Sequence, residues 1–352
     1  MKFIIYVGHP AHVHLFAPFT YEVIKGGDSV LFLARDKDVT LSLLRAKGFD
    51  YIPMGKPLQR RTSKWVYSLT LSLKILKICL NYRPDFLIAN SAAYLALAGL
   101  MMHKPIISLF NTDTTPKIIQ LYIKLCSDIV ITPYLYPVNY GNKQIRISGC
   151  FEYAYLAPDI FEPDQSVLSK YEIGEDNRLI LLRFVNSSAI DDFGILGIDH
   201  IERLLAINEM LKYGKVIVSC EDELPAEYQY LHLEKNVKYV DGDLQSIEYY
   251  ADLAWSDSGA VSSECAILGT PCIFQSNKRL SFISDLENYG LVIRTHNFND
   301  SLMLAKNILE SNDSKSIWKT KRDIAIKNFT NVTNTLLNLV RGYNTSEENN
   351  LL

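Results

Sequence analysis

The sequence predicts an α/β chain of two domains, each a parallel sheet with helices on both faces. Three observations carry this expectation. The chain has 352 residues, more than one ordinary core holds and enough for two. Hydrophobic residues make up 48% and charged residues 21%, a core-forming composition and not a disordered one. Short apolar runs alternate with helical patterns along the chain, break once, and start again with the same rhythm.

In the first half, Phe3 to Val7 reads as a strand and His14 to Lys25 as a helix closed by Gly26-Gly27. Ser29 to Ala34 is a second strand, and Val39 to Lys47 a helix ending at Gly48. Phe86 to Ala89 follows Arg83-Pro84-Asp85 as a strand, and Ala92 to Met101 is a small-residue helix. Pro105 to Phe110 and Ile129 to Thr132 are further strands. The pattern lapses from Ser148-Gly149 to Pro163, a stretch holding Pro158 and Pro163 and no clear period. It resumes with strands at Leu179 to Leu182, Lys215 to Ser219, Val237 to Val240, Leu253 to Ser256 and Cys272 to Phe274. Helices are expected at Ile198 to Lys212, Leu302 to Leu309 and Ser316 to Val340. The expected division is a Rossmann-like domain over 1–155 for an acceptor and a second over 156–315 for a nucleotide. A helix over 316–343 is expected to return to the first domain, with a flexible tail over 344–352. Open parallel sheets bind ligands at the carboxyl ends of their strands. With the two domains facing across a cleft, the loops after strands become the places to look for chemistry.

A net charge of −3 argues against a protein built to grip nucleic acid. The six cysteines form no CxxC pair and most sit in apolar runs, so they read as buried thiols of a reducing compartment. The first apolar run is strand-length, too short for a secretion signal, and no segment reaches the ~20 apolar residues of a membrane span. The expected location is the cytoplasm. One stretch leaves room for peripheral contact at the inner face of the membrane. Arg60-Arg61 and Lys64 precede the apolar run Trp65 to Leu80, in which Lys74 and Lys77 share a helical side. A buried crossover helix with a charged rim is the favoured reading of that run.

The loop from Asp257 to Pro271 follows a strand and opens a helix. Ser258 and Gly259 allow a tight turn with free N–H groups, and a helix N-terminus suits a diphosphate. Glu264, one to two turns in, can accept hydrogen bonds from a ribose diol. An ordinary capped helix, with Ser262 or Asp257 as the cap, explains the same residues equally well. The segment resembles the nucleotide-binding signature of the two-domain GT-B glycosyltransferase superfamily, which includes the hydrolysing UDP-N-acetylglucosamine 2-epimerases. Those proteins carry Asp-Ser-Gly-Gly, a Glu, and Leu-Gly-x-Pro. Here stand Asp257-Ser258-Gly259, Glu264 and Leu268-Gly269-Thr270-Pro271, with Ala260 in place of the second glycine.

At the other end, Gly8-His9-Pro10-Ala11-His12-Val13-His14 follows the first strand and holds three of the seven histidines. His12 or His9 on such a loop can act as a general base or bond a sugar hydroxyl or phosphate. No nearby Cys, Asp or Glu completes a metal set, so no metal is expected. Gly8-His9-Pro10-Ala11-His12-Val13, Arg83-Pro84-Asp85, Gly149 with Glu152-Tyr153-Ala154-Tyr155-Leu156, Arg183 and the Leu-Gly-Thr-Pro turn are together similar to an uncharacterised glycosyltransferase-like family of archaea and bacteria, a domain of unknown function. The similarity spans residues 1 to 300, roughly.

Asp113, just after a strand, is a candidate base toward an acceptor hydroxyl, or else an Asx-turn. Arg183 at a strand end can clamp a diphosphate, or form a surface ion pair. Lys278 and Arg279 can add charge there, and Glu152 near the hinge can contact the sugar or pin the linker. The resemblance implies a metal-independent glycosyltransferase. It would use a nucleotide-sugar donor, UDP-linked first, with a glycan or lipid-linked acceptor in surface polysaccharide biosynthesis, and no cofactor. A nucleotide-sugar 2-epimerase or hydrolase of the same fold is the alternative. Two departures count against it: Gly-Thr-Arg-Pro-Glu is replaced by Gly8-His9-Pro10-Ala11-His12, and Leu181 to Asn186 lacks the His-Arg of those enzymes. A non-catalytic nucleotide-sugar binder, suggested by Ala260, is the third reading.

Overall fold

The computed structural model describes residues 1–37, 39–56, 64–111, 113, 115–174, 177–185, 198–220, 237–240 and 243–349. Side chains are described over the same ranges except 64–66, 237–239 and 344–349. The chain divides into two units. Unit 1 comprises Met1–Ile147 with Thr330–Leu352, and unit 2 comprises Ser148–Phe329.

Unit 1 is built on seven parallel strands in the order β3-β2-β1-β4-β5-β6-β7. They are β1 (Lys2–Val7), β2 (Ser29–Ala34), β3 (Tyr51–Pro53), β4 (Phe86–Asn90), β5 (Ile106–Leu109), β6 (Ile129–Pro133) and β7 (Gln144–Ile147). The helices are α1 (Pro10–Lys25), α2 (Thr40–Ala46), α3 (Lys64–Tyr82), α4 (Ala96–Met102) and α5 (Lys117–Cys126). Right-handed crossovers put α1 and α2 on one face, where the order runs outward from β1 to β3. The same rule puts α3, α4 and α5 on the other, where it returns through β4 to β6. Packing agrees, with α1 against α2, and α4 against both α3 and α5. β1 is buried almost throughout, as a central parallel strand must be. On the α3 side Ile4 and Tyr6 meet Leu71, Ile75, Cys79 and Leu87. Phe3 makes an edge contact with Phe19 of α1 and stacks on Phe86.

Unit 2 holds six parallel strands in the order β10-β9-β8-β11-β12-β13. They are β8 (Leu179–Phe184), β9 (Lys215–Cys220), β10 (Val237–Tyr239), β11 (Leu253–Ser256), β12 (Cys272–Gln275) and β13 (Val292–Thr295). Short helices α6 (Tyr153–Leu156) and α7 (Ser166–Lys170) precede the sheet. Between and after the strands come α8 (His200–Met210), α9 (Leu244–Tyr250), α10 (Gly259–Leu268), α11 (Ser281–Asn288), α12 (Phe298–Glu310) and α13 (Ser314–Ala325). Trp255 of β11 is the largest wholly buried side chain, and its indole N–H donates to Gln275 Oε1 at 3.0 Å.

The sequence suggests one helix over residues 316–340, and there are two. α13 ends at Ala325, a 3-10 turn follows over Ile326–Asn328, and α14 (Val332–Asn349) starts afresh. Asn331 Oδ1 accepts the Thr333 N–H at 2.9 Å, an N-cap that restarts the helix. Phe329, in the break, packs edge-on against Tyr153 and Tyr289. α13 therefore belongs to unit 2, while α14 belongs to unit 1, packing on α1 with Tyr343 against Phe86. The start of α1 also differs: it begins at Pro10, not His14, because proline suits a first helical turn and His9 caps it. The arginines at 60 and 61 lie outside the described residues. α3 buries Leu71, Ile75, Leu76 and Cys79 and is the crossover from β3 to β4.

Candidate functional site

The turn between β11 and α10 stands at the carboxyl end of a central strand of unit 2. Ser258, not Ser262 or Asp257, caps α10, its Oγ accepting the Val261 N–H at 3.5 Å. Asp257 instead ties down the chain after β8, accepting from Val185 N at 2.8 Å and Ile198 N at 3.3 Å. Burial pushes Asp257 up to about 6, against those two amides and Arg203. Gly259 leaves room for its neighbours: a Cβ there would lie 2.5 Å from Leu280 Cδ1 and would push that side chain aside. Ala260 is exposed. The first helical N–H groups, at Gly259 and Ala260, have no carbonyl to bond within the helix and stand at its positive end. Ser262 faces the interior, with its Oγ buried and without a hydrogen-bond partner.

Glu264 lies beneath that turn and is only 5% exposed. Its Oε1 accepts from Tyr155 Oη at 2.8 Å and from Gln245 Nε2 at 3.1 Å. Burial raises its pKa, opposed by those two bonds, by one with Glu248 and by the charge of Arg183. Glu248 of α9 is wholly buried and lies in hydrogen-bonding reach of Glu264. Burial first, then the charge of Glu264, pushes Glu248 well above the carboxylate range. Two buried carboxyls within reach of each other do not readily both ionise, so Glu248 and Glu264 titrate as a coupled pair, with burial raising both.

Glu152 joins the same cluster. It is 7% exposed, within reach of Cys150 and Ser263, and burial lifts it to about 7 with a further push from Glu264. Arg183 stands within β8, beside Ser219 of β9 and Ser256 of β11, and its guanidinium donates to Ser219 Oγ at 2.8 Å. Its charge acts on both Glu248 and Glu264, so it offsets the buried acids. Lys278 is half-buried after β12; its N–H donates to Ser276 Oγ at 3.1 Å and its carbonyl accepts from Arg294 at 2.8 Å. The fold thus brings together Glu152, Arg183 and Glu264, 112 residues apart in sequence from first to last. Tyr155, Gln245 and Glu248 complete the group. Tyr155 is in the quoted Glu152-Tyr153-Ala154-Tyr155-Leu156 motif, whereas no local signal marks Gln245 or Glu248.

In unit 1 the histidines lie at the carboxyl end of β1, on the first turn of α1 and not on a free loop. His9 caps α1, its Nδ1 accepting the Ala11 N–H at 3.2 Å. His12 Nδ1 accepts the Gly8 N–H at 3.3 Å. That bond puts the remaining proton on Nε2. Burial, then His9 and Lys37, pushes His12 down to about 3. His12 is therefore a neutral Nε2–H donor at ordinary pH and a weak base. Asp113 is half-buried past the end of β5, two strands from β1 and so about 10 Å across the sheet. Its charge acts on Tyr136. At the same edge Arg35, just after β2, donates to Tyr6 Oη at 2.9 Å and to Tyr94 Oη at 3.2 Å, with the rings of Tyr67 and Tyr94 beside the guanidinium. Arginine-to-tyrosine bonds link positions far apart in sequence, which is why the sequence pattern is silent about them. Among the described residues, no group of three or more His, Cys, Asp or Glu is placed to hold a metal ion, and no helix is long and apolar enough to cross a membrane.

The family described as "Protein of unknown function (DUF354)" matches residues 1–337. The chain belongs to this family. No curated protein matches this DUF354 sequence. Solved structures match it over nearly their whole length. An S. aureus MnaA–UDP co-structure has a TM-score of 0.72 at 11% identity, covering 98% of this chain and 97% of that one. UDP-GlcNAc 2-epimerase from Methanocaldococcus jannaschii has a TM-score of 0.64 at 17% identity, covering 92% and 99%. Glycosyltransferase VinC in complex with DTDP has a TM-score of 0.65 at 11% identity, covering 97% and 99%. At such identities the likeness establishes the fold, which is GT-B: two Rossmann-like α/β units.

Proposed function

We propose that the protein is a metal-independent glycosyltransferase that moves a sugar from a UDP-linked donor to a glycan or lipid-linked acceptor in surface polysaccharide assembly. The observation that carries this reading is the β11–α10 turn. An outward helix N-terminus, capped by Ser258 and floored by Gly259 against Leu280, precedes a carboxylate that Tyr155 and Gln245 hold in place. The amides of Gly259 and Ala260 suit the diphosphate, with Lys278 adding positive charge. Glu264 meets the ribose diol through Oε2, since Tyr155 Oη and Gln245 Nε2 both donate to Oε1. In the transfer step the acceptor hydroxyl attacks the anomeric carbon and its proton passes to Asp113. The bond from that carbon to the diphosphate oxygen breaks, and UDP leaves with the electron pair. His12 bonds a hydroxyl or phosphate as a neutral donor.

The likeness to the UDP-GlcNAc 2-epimerase from Methanocaldococcus jannaschii, whose TM-score of 0.64 is level with the 0.65 of VinC, favours a second reading as a nucleotide-sugar 2-epimerase or hydrolase. One experiment addresses both. Thermal unfolding is followed with UDP, GDP, dTDP and their sugar conjugates, and the stabilising conjugate is then incubated without acceptor. Stabilisation with an unchanged conjugate supports transfer. An epimer or free sugar supports the second reading. No stabilisation by any nucleotide rejects both.

A further inference from the structure

The two units carry opposite charge. Unit 1 has 19 Lys and Arg against 10 Asp and Glu, a net of +9. Unit 2 has 17 against 29, a net of −12, and the two nets add to the −3 of the chain. The positive charge of unit 1 is concentrated in residues 51–147, which hold 12 basic residues and only Asp85, Asp113 and Asp128 as acids. α3, α4 and α5, which share one face of the sheet, contain no acidic residue.

That same face is apolar toward solvent. On α5, Ile118, Leu121, Tyr122 and Leu125 are 45–69% exposed. Their spacing of three, four and seven residues makes one stripe along a helix about 15 Å long. The opposite side of α5 buries Ile123 and packs Ile119 on the core. α5 is thus apolar on both faces, and its outward stripe is bordered by exposed Lys117 and Lys124. α4 adjoins it with exposed Leu100 and Met101, and α3 adds Leu69, Leu73 and Leu80, again one helical side, beside exposed Lys77. Nine of the large apolar residues exposed among the described side chains fall on this one face. A scatter of single exposed apolar residues is ordinary, but a contiguous set bordered by one sign of charge is not.

We propose that the α3–α4–α5 face of unit 1 docks on an anionic lipid bilayer, with the α5 stripe entering the headgroup region and Lys77, Lys117 and Lys124 meeting lipid phosphates. A soluble polyanion would satisfy the lysines but leave the apolar stripe in water. A neutral protein partner would cover the stripe but gain nothing from the one-sided charge. An anionic membrane surface answers both, through apolar burial and surface potential together. The sequence leaves room for this role at Trp65–Leu80, where a buried crossover helix is the favoured reading. The fold buries part of that helix and makes α5, which carries no such sequence signal, the centre of the face. None of these residues belongs to the unit 2 site, so the docking face is independent of the nucleotide reading.

The test is co-sedimentation of the full chain with phosphatidylcholine vesicles, with and without phosphatidylglycerol. The wild type should sediment only with the anionic vesicles and should be released by high salt. Leu121→Asp/Leu125→Asp and, separately, Lys117→Glu/Lys124→Glu should each weaken partition about tenfold or more. Far-UV circular dichroism and the melting temperature should be unchanged, since all four side chains are exposed. No sedimentation of the wild type with anionic vesicles overturns the proposal. So does equal partition of the Leu121→Asp/Leu125→Asp protein. A wild-type dimer in light scattering that this variant turns into monomer, with neither protein binding vesicles, would make the face a self-association surface instead.

Discussion

Glu152 gives unit 2 a stability that depends on pH in a calculable way. Its carboxyl is nearly sealed from solvent and titrates at about 7 in the fold, against 4.5 as a free side chain. The fold therefore favours the protonated form. The contribution is fully present below about pH 4.5 and is lost as pH rises through about 7. At 1.36 kcal/mol per pKa unit, the wild type should lose roughly 2.5 kcal/mol between about pH 5 and pH 8 from this group alone. For a unit of this size that is a fall of about 5–10 °C in the unfolding temperature. Glu152→Gln keeps the shape and cannot ionise. Calorimetric melts of both proteins across that range should show near-equal stability at the acid end and a more stable variant at the alkaline end. Parallel curves would refute the reasoning, and so would a variant that loses stability at every pH by the same amount. Asp257, lifted to about 6, slopes the same way in both proteins and cancels from the comparison.

Tyr155→Phe removes a 2.8 Å bond to Glu264 Oε1 and should cost about 1–2 kcal/mol in stability, read by urea titration, with UDP affinity falling several-fold in calorimetry. Unchanged affinity would separate the buried cluster from nucleotide binding. Gly149→Ala should destabilise unit 2 by about 2–4 kcal/mol in denaturant unfolding. Its φ of +86° suits glycine, and a Cβ there would sit 2.7 Å from Phe329 Cγ, at the contact between the start and the end of unit 2. His12→Ala should lower turnover more than nucleotide affinity. Because His12 stays neutral down to about pH 3, any acid limb of the rate profile near pH 6.5 should be the same in this variant and in the wild type. A limb that vanishes with His12 would restore it as a base.

The parallel sheets are legible because buried strands write themselves as apolar runs: Ser29–Ala34 and Leu253–Ser256 are readable to the residue. β3, β7 and β13 are not. They are short edge strands, with Pro53 in one and Arg146 or Arg294 in the others, so no apolar run marks them. The helix expected over 316–340 runs through its break because Phe329 continues the apolar pattern, while the cap that restarts it, Asn331, is a single polar residue. In the site, Ser258, Gly259 and Glu264 are local and can be read from spacing. Glu248, Gln245 and Tyr155 gather around Glu264 only through the packing of α9 and α6 on α10, and a single sequence says nothing of such contacts. The exposed stripe of α5 has the spacing of an ordinary amphipathic helix, and only the fold tells that its more apolar side is turned outward.

If the amides opening α10 receive the diphosphate of a UDP-linked sugar, their hydrogen exchange must slow when UDP binds. Mass spectrometry with peptides spanning residues 257–264 reads this directly. On adding UDP, exchange at Gly259 and Ala260 should slow, and the protection should be lost in Glu264→Ala when that variant no longer binds. UDP binding that leaves these amides as fast as before, with protection arising elsewhere, would contradict the placement of the diphosphate on this turn.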